Sequence, residues 1–220
     1  MYRQQKASVM KYLIIPLLLA GTLFTVNGQG KQTTKEQTAV PPCLQTQTSV
    51  QTASLNREEA RSLVLLREEE KLARDVYRFF HSRHSWRPFA NIARSEQAHM
   101  DAILYLLERY DLEDPAAHKD EGEFRNRQWE ALYLELTARG KDDPLEALRA
   151  AALIEETDIA DLQEALDGFA ENPDVIRVYS NLLRASKIHL RTFVRMLELR
   201  NETYTPAILS TDEFQRIMEG

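Results

Sequence analysis

The chain has 220 residues, 43% hydrophobic and 28% charged, with 28 Lys and Arg against 34 Asp and Glu for a formal charge of −6. This composition supports one domain with a real core and excludes a wholly disordered chain. Seven Gly and eight Pro exclude collagen-like and linker-like sequences, and the single Cys excludes a disulfide framework or a thiolate metal site. The acidic balance argues against nucleic-acid binding, which runs on phosphate neutralisation.

Residues 1–28 read as a secretory signal. Arg3, Lys6 and Lys11 supply the positive start, and Tyr12 to Val26 is an apolar run of 15 residues broken only by Pro16, Gly21, Thr22 and Thr25. A stable membrane span needs ~20 residues, so the run is short for an anchor. Val26 and Gly28 place small residues at the −3 and −1 positions of a cut after Gly28. Thr22 stands where a lipoprotein signal would need Cys, which excludes lipidation. Removing 1–28 leaves 25 basic against 34 acidic residues, a formal charge of −9. Residues 29–54 hold six Gln, six Thr, Pro41-Pro42 and the lone Cys43 without periodicity, and read as a flexible tether. The expected setting is a bacterial exported protein, periplasmic or secreted.

From 55 to 200 the only glycines are Gly122, Gly140 and Gly168, and helical periodicity replaces any strand pattern. A first helix is predicted over 56–82, opened by Asn56 and Glu59 as a capping box, with Leu63, Leu66, Ala73, Tyr77 and Phe80 on one stripe. A second is predicted over 88–110, with Phe89, Ile92, Ala93, Met100, Ile103, Leu104 and Leu107 inward. A connection of roughly 30 residues follows, with a shorter helix over 128–139 ended by Gly140. The third long helix opens at Asp143-Pro144 and runs to Gly168, with a break expected near Thr157. The fourth opens at Asn172-Pro173 and reaches Arg200, leaving 201–220 as a tail on or near the bundle. The predicted fold is all-α: a four-helix bundle over 55–200, made of two antiparallel hairpins joined by a long crossover.

The informative residues are polar ones at inward positions, because burying them unpaired costs several kcal/mol. Glu70 falls between Leu66 and Ala73. Glu96 and His99 fall between Ala93 and Met100, three apart on one face. Glu155 lies between Ala152 and Ile159, and His189 between Ala185 and Phe193. Each long helix thus turns a metal-ligand type inward, the pattern of carboxylate-bridged two-metal bundles. Helix rise places the paired levels within roughly 6 Å of each other. Carboxylates neutralise the cations and bridge them, and neutral imidazole completes each coordination sphere. Taken singly, each residue is as well explained by a solvated Glu or a hydrogen-bonded core histidine, and Glu68-Glu69-Glu70 is the kind of run that is usually solvated. His81, His84 and His118 lie near turns and are expected in solvent, and Trp86 and Trp129 are expected to anchor the bundle ends.

Several segments resemble one family. They are Glu68-Glu69-Glu70-Lys71-Leu72-Ala73-Arg74-Asp75-Val76-Tyr77, Ser95-Glu96-Gln97-Ala98-His99-Met100-Asp101-Ala102, Ile154-Glu155-Glu156-Thr157-Asp158-Ile159-Ala160-Asp161-Leu162 and Ser186-Lys187-Ile188-His189-Leu190. With Tyr204-Thr205-Pro206, Leu209-Ser210 and Glu213-Phe214 they resemble a ferritin-like domain of unknown function, family 2202, over about 55–218. Rubrerythrin and bacterioferritin are similar more remotely. The resemblance implies a ferritin-like bundle and a di-iron centre with Glu70, Glu96, His99, Glu155 and His189 as ligands. It also implies that Tyr77 is a phenol placed beside the centre. One position departs: the fourth helix of such relatives carries Glu-x-x-His, whereas this chain has Ser186-x-x-His189. Asp158, three residues after Glu155, is the first candidate to replace the missing carboxylate, with Glu156 and Glu69 less central. Without a replacement the site would hold one metal, or two weakly.

The function expected from this is an exported protein holding two iron ions, with manganese or zinc fitting the same donors. Dioxygen or hydrogen peroxide would be the reaction partner, in ferroxidase or peroxide-reducing chemistry. The alternative is a non-enzymatic envelope binding or stress module with a metal-free Glu/His network. A homodimer or storage cage stays open, and nucleic acid and a stable membrane span are not expected.

Overall fold

The structure, a computed structural model, describes residues 54–220; the proposed signal and nearly all of the tether lie outside the described residues. Within them the chain forms six helices and no strand. They are α1 (Arg57–His84), α2 (Arg87–Arg109), α3 (Arg127–Gly140), α4 (Pro144–Gly168), α5 (Pro173–Glu198) and α6 (Thr211–Glu219).

The helix starts are set by local chemistry. Asn56 Oδ1 accepts from the Glu59 amide at 2.8 Å, and Glu59 Oε2 accepts from the Asn56 amide at 2.8 Å. Asp143 caps α4 through the amides of Leu145 and Glu146, and Asn172 caps α5 through that of Asp174. Pro144 and Pro173 occupy first-turn positions, where no amide hydrogen is needed. α1 ends where Ser85 adopts φ 57°, and its amide closes on the His81 carbonyl. The expected break near Thr157 does not occur: α4 is continuous, and the helix absorbs the Thr157 hydroxyl, which donates back to the Leu153 carbonyl at 2.9 Å.

α1 pairs with α2, and α4 with α5; the hairpins then pack α1 on α4 and α2 on α5. This is the four-helix bundle with a long crossover. Leu63, Tyr77 and Phe80 meet Phe89, Ile103 and Leu107, with Leu148, Ile159, Leu162, Leu182 and Phe193 from the second hairpin, all buried. Leu104 is only half-buried, and Leu106 takes the inward place beside Leu107. Trp129 is buried on α3, and Trp86 stacks on Phe89 with the Arg200 guanidinium 4.1 Å from its ring centre. His81 and His84 are half-buried, each with a ring nitrogen on a backbone carbonyl, while His118 is exposed.

The run Glu68-Glu69-Glu70 is buried throughout, against the expectation of a solvated face. Successive helical residues point about 100° apart, so three neighbours serve three different surroundings. Glu68 faces the crossover and accepts from the amides of Arg125 and Asn126 at 2.7 and 3.1 Å. Glu69 faces α4, and Glu70 faces the bundle centre. Nearby, Lys71 Nζ donates to Asp75 and to the Asp120 carbonyl at 2.7 Å, while Asp75 accepts from the Gly122 amide. The crossover is therefore fastened to α1 by charge-assisted hydrogen bonds.

The 201–220 segment is held by one carboxylate of α4. Glu156 accepts from the Tyr204 hydroxyl and from the amides of Ala207, Ile208 and Leu209. α6 follows, capped by Ser210, with the Ile217 carbonyl accepting from Arg191.

Gly140 marks the tightest approach of the crossover helix to the bundle. A methyl group there would fall 2.5 Å from Phe80 Cε1 and 2.7 Å from the Ala147 backbone. Gly140→Ala should therefore lower stability by about 1–3 kcal/mol, read as a lower midpoint in urea at an unchanged slope.

Candidate metal centre

Four helices converge on one polar cluster. Glu70 comes from α1, Glu96 and His99 from α2, Glu155 from α4 and His189 from α5. The three carboxylates have no exposure; His99 and His189 retain 7% and 6%. Glu96 and His99 share a face because they are three residues apart. The α1–α2 hairpin then brings Glu70 beside them, and the second hairpin brings Glu155 and His189 from the opposite side.

His99 Nδ1 lies 3.1 Å from Glu70 Oε2 and 2.7 Å from Glu96 Oε2. His189 Nδ1 lies 2.9 Å from Glu96 Oε1 and 3.5 Å from Glu155 Oε2. Two groups of three result, Glu70–Glu96–His99 and Glu96–Glu155–His189, each with its ligand atoms within 4.8 Å of one another. Glu96 belongs to both, presenting one oxygen to each histidine. The imidazole rings stack at 5.8 Å between centroids.

The electrostatics follow from burial and from this sharing. Burial opposes ionisation of Glu96, yet the hydrogen-bonding and charged imidazoles of His189 and His99 hold its pKa down to about 2. Burial alone would depress both imidazoles. Glu70 and Glu96 outweigh it and raise His99 to about 11, and Glu155 and Glu96 raise His189 to about 10. Burial pushes Glu70 up to about 7 against the pull of His99, and it also raises Glu155. Without a cation the cluster is thus a buried carboxylate–imidazolium network. Even so, Glu70 Oε1, both Glu96 oxygens, Glu155 Oε2 and His189 Nδ1 lack a well-aligned hydrogen bond.

Tyr77 sits two turns along α1 from Glu70, fully buried. Its hydroxyl donates to Glu155 Oε1 at 2.7 Å, and burial with the charges of Glu155, Glu96 and Asp158 pushes its pKa well up. The phenol stays protonated and fixes one oxygen of Glu155, leaving Oε2 turned to His189.

Asp158 is 1% exposed and senses the charges of Glu69, Glu70, Glu155 and Glu96, yet it joins neither group of three. Burial first, then those like charges, raise its pKa well above the ordinary carboxylate value. The position where relatives would carry a carboxylate holds Ser186, buried, its hydroxyl donating to the Leu182 carbonyl at 3.1 Å. Sequence reasoning placed Glu156 and Glu69 as lesser ligands. Glu156 instead fastens the C-terminal tail, a role that no local signal marks. Glu69 contacts Asp158 and Asp161 between α1 and α4, and burial raises its pKa well above the usual range.

The donor set fits two cations. Each group offers two carboxylates and one imidazole, with Glu96 as the shared bridge, a combination suited to divalent first-row metals.

Comparisons with known proteins agree on the kinship. A family model described as an uncharacterized protein domain, DUF2202, matches residues 59–220. Uncharacterized protein MJ0754 of Methanocaldococcus jannaschii is 42% identical over 166 residues, covering 76% of this chain and 89% of its own. A crystal structure of hypothetical protein MJ0754 from Methanococcus jannaschii superposes with a TM-score of 0.75 at 41% identity, over 79% of this chain and 98% of that one. With its helices, their connections and the matched length in agreement, the chain belongs to the DUF2202 family.

Proposed function

We propose that the chain is an exported ferritin-like protein that holds two metal ions, iron fitting best, and reacts with dioxygen or hydrogen peroxide. One observation carries the reading: Glu96 is shared by two buried three-ligand groups drawn from four helices. Glu70, Glu96 and His99 would hold one ion, and Glu96, Glu155 and His189 the other. When bound, two ferrous ions supply the electrons that reduce dioxygen or hydrogen peroxide. The residues around them set the conditions for that chemistry. The carboxylates offset the metal charge in a water-poor interior. The Tyr77 hydroxyl orients Glu155 and keeps a proton at its oxygen beside the centre. Small oxidants would reach the centre at the α2–α5 seam, where His99 and His189 keep 7% and 6% of exposure. Export rests on the charged start and apolar run of residues 1–28. Among the described residues no helix is long and apolar enough to cross a membrane.

A second reading has its own observation. Both imidazoles already lie against carboxylates, so the network can stand without metal. Melting separates the two. Ferrous or manganous ion at 100 times its dissociation constant should stabilise the bundle by about 2.7 kcal/mol for each site filled. In a domain of this size that raises Tm by roughly 5–10 °C. Chelator should reverse the rise, and metal analysis should give two ions per chain, falling below one in Glu96→Ala. A Tm indifferent to both metal and chelator would favour the metal-free network.

Ligation also has a proton signature. His99 and His189, raised to about 11 and 10, carry protons at pH 7, and metal binding requires both neutral. Loading in weak buffer at pH 7 should release at least two protons per chain, with a further share from Glu70, raised to about 7, seen with a pH indicator, and affinity should fall as pH falls. In chelated protein the raised imidazole pKa values stabilise the fold fully below the unfolded value near 6.5. That stability is lost as pH rises through 10–11, which thermal melts from pH 7 to 11 should follow.

A further inference from the structure

Outside the two groups of three, α4 carries a ladder of acids. Glu155, Asp158, Asp161 and Glu164 recur every third residue, rising roughly 4.5 Å per step toward the Gly168 end. Their surroundings change in order: Glu155 is fully buried, Asp158 is 1% exposed, Asp161 is half-buried and Glu164 is exposed. Glu69 of α1 stands beside the middle rungs, in contact with Asp158 and Asp161.

The middle of this ladder lacks what other buried acids have. Glu59 accepts from the amides of Glu171 and Asn172, and Glu68 from those of Arg125 and Asn126. Asp75 takes Lys71, Arg74 and the Gly122 amide, and Glu156 takes a hydroxyl and three amides. By contrast neither oxygen of Asp158 accepts a hydrogen bond, and neither does Glu69 Oε1. Buried acceptors without donors are expensive and rare in a purely structural role. Two such side chains face each other one step out from Glu155, on a series that turns back about 60° around α4 at each step and so winds from the centre to the rim.

We propose that Glu69 and Asp158, reached from the rim through Asp161, form a transfer site that passes a divalent cation between helices α1 and α4 into the Glu/His centre. Their unpartnered oxygens are the ligand atoms. The site holds its ion briefly, because it offers carboxylates without imidazole. Among the described residues only the two central groups gather three ligand atoms within 4.8 Å. The route opposes the α2–α5 seam where the imidazoles keep their slight exposure, so cation and small oxidant would reach the centre from different sides. This inference rests on the proposed metal centre.

The test follows loading of the full chain with Co(II), whose visible absorption reports occupancy, by stopped flow and at equilibrium. Glu69→Gln should load at least tenfold more slowly, and Asp161→Asn several-fold more slowly. Both should reach the wild-type end spectrum and two ions per chain. Glu130→Gln, an exposed acid on α3, should load at the wild-type rate, which separates the route from general charge attraction. Asp161→Asn lies at the half-buried rim and keeps the test intact if Glu69→Gln fails to fold. Unchanged rates at full occupancy overturn the transfer site alone, as does loss of an equilibrium ion in Glu69→Gln, which would make Glu69 a ligand. If the wild-type chain takes up no Co(II), the metal centre fails and the transfer site with it.

Discussion

A carboxylate without exposed surface, flanked by two imidazoles, sets the terms for the whole bundle. Glu96 lies 2.7 Å from His99 and 2.9 Å from His189, and through them it ties α2 to α5 across the core. An ionised carboxylate in such a place costs several kcal/mol unless its charge is matched. The match requires Glu70 and Glu155 to approach the same Nδ1 atoms of His99 and His189, and those residues come from the remaining two helices. The polar centre therefore fixes the axial register of all four long helices. Apolar stripes alone would tolerate a slide of one turn, whereas the Glu–His contacts would not.

Around that centre, charge is used for fastening as well as for binding. Glu59, Glu68, Glu156 and the Lys71–Asp75 pair each lock an irregular segment onto a helix by collecting backbone groups. Burying charge in this way is weak evidence for stability, but it is specific about geometry. It explains how a chain of 28% charged residues keeps a dry core: much of the charge points inward and is paired. Outside the Glu/His centre, Asp158 and Glu69 stand out against this habit: neither Asp158 oxygen nor Glu69 Oε1 has a donor.

Much of the arrangement was legible in the sequence, for reasons that differ by residue. The helix starts at Asn56, Asp143 and Asn172 were readable because a cap acts within three residues. Glu70, Glu96, His99, Glu155 and His189 were readable because a polar residue on a 3.6-residue apolar stripe has one direction to point. What escaped were contacts made across long separations. Glu156 meets Tyr204 and Leu209 about fifty residues away, and Glu68 meets Arg125 at a similar distance. Nothing in the local pattern distinguishes such an acid from a solvated one. The Glu68-Glu69-Glu70 run misled for the same reason, since its three partners lie on three different segments. The continuity of α4 at Thr157 escaped because a β-branched hydroxyl residue reads as a break until its hydrogen bond to Leu153 is seen.

The serine at 186 makes the centre asymmetric, and the asymmetry has a physical consequence. α2 supplies Glu and His one turn apart, whereas α5 supplies only His189, with the Ser186 hydroxyl bonded to its own helix. Carboxyl groups are thereby withdrawn from the α5 side and gathered toward α1 and α4, as Glu69, Glu70, Glu155 and Asp158. Four acids there face two histidines on the other side. A cation between them is drawn toward the α1–α4 seam, so in the proposed two-metal reading the missing carboxylate is offset by position rather than by a direct substitute. Asp158 stands one rung away: it feels the charges of Glu70, Glu155 and Glu96, although its oxygens belong to neither group of three. The same displacement leaves the imidazole side lean in acids and slightly open. In the proposed reading, that separation lets cations enter on one face and small oxidants on the other.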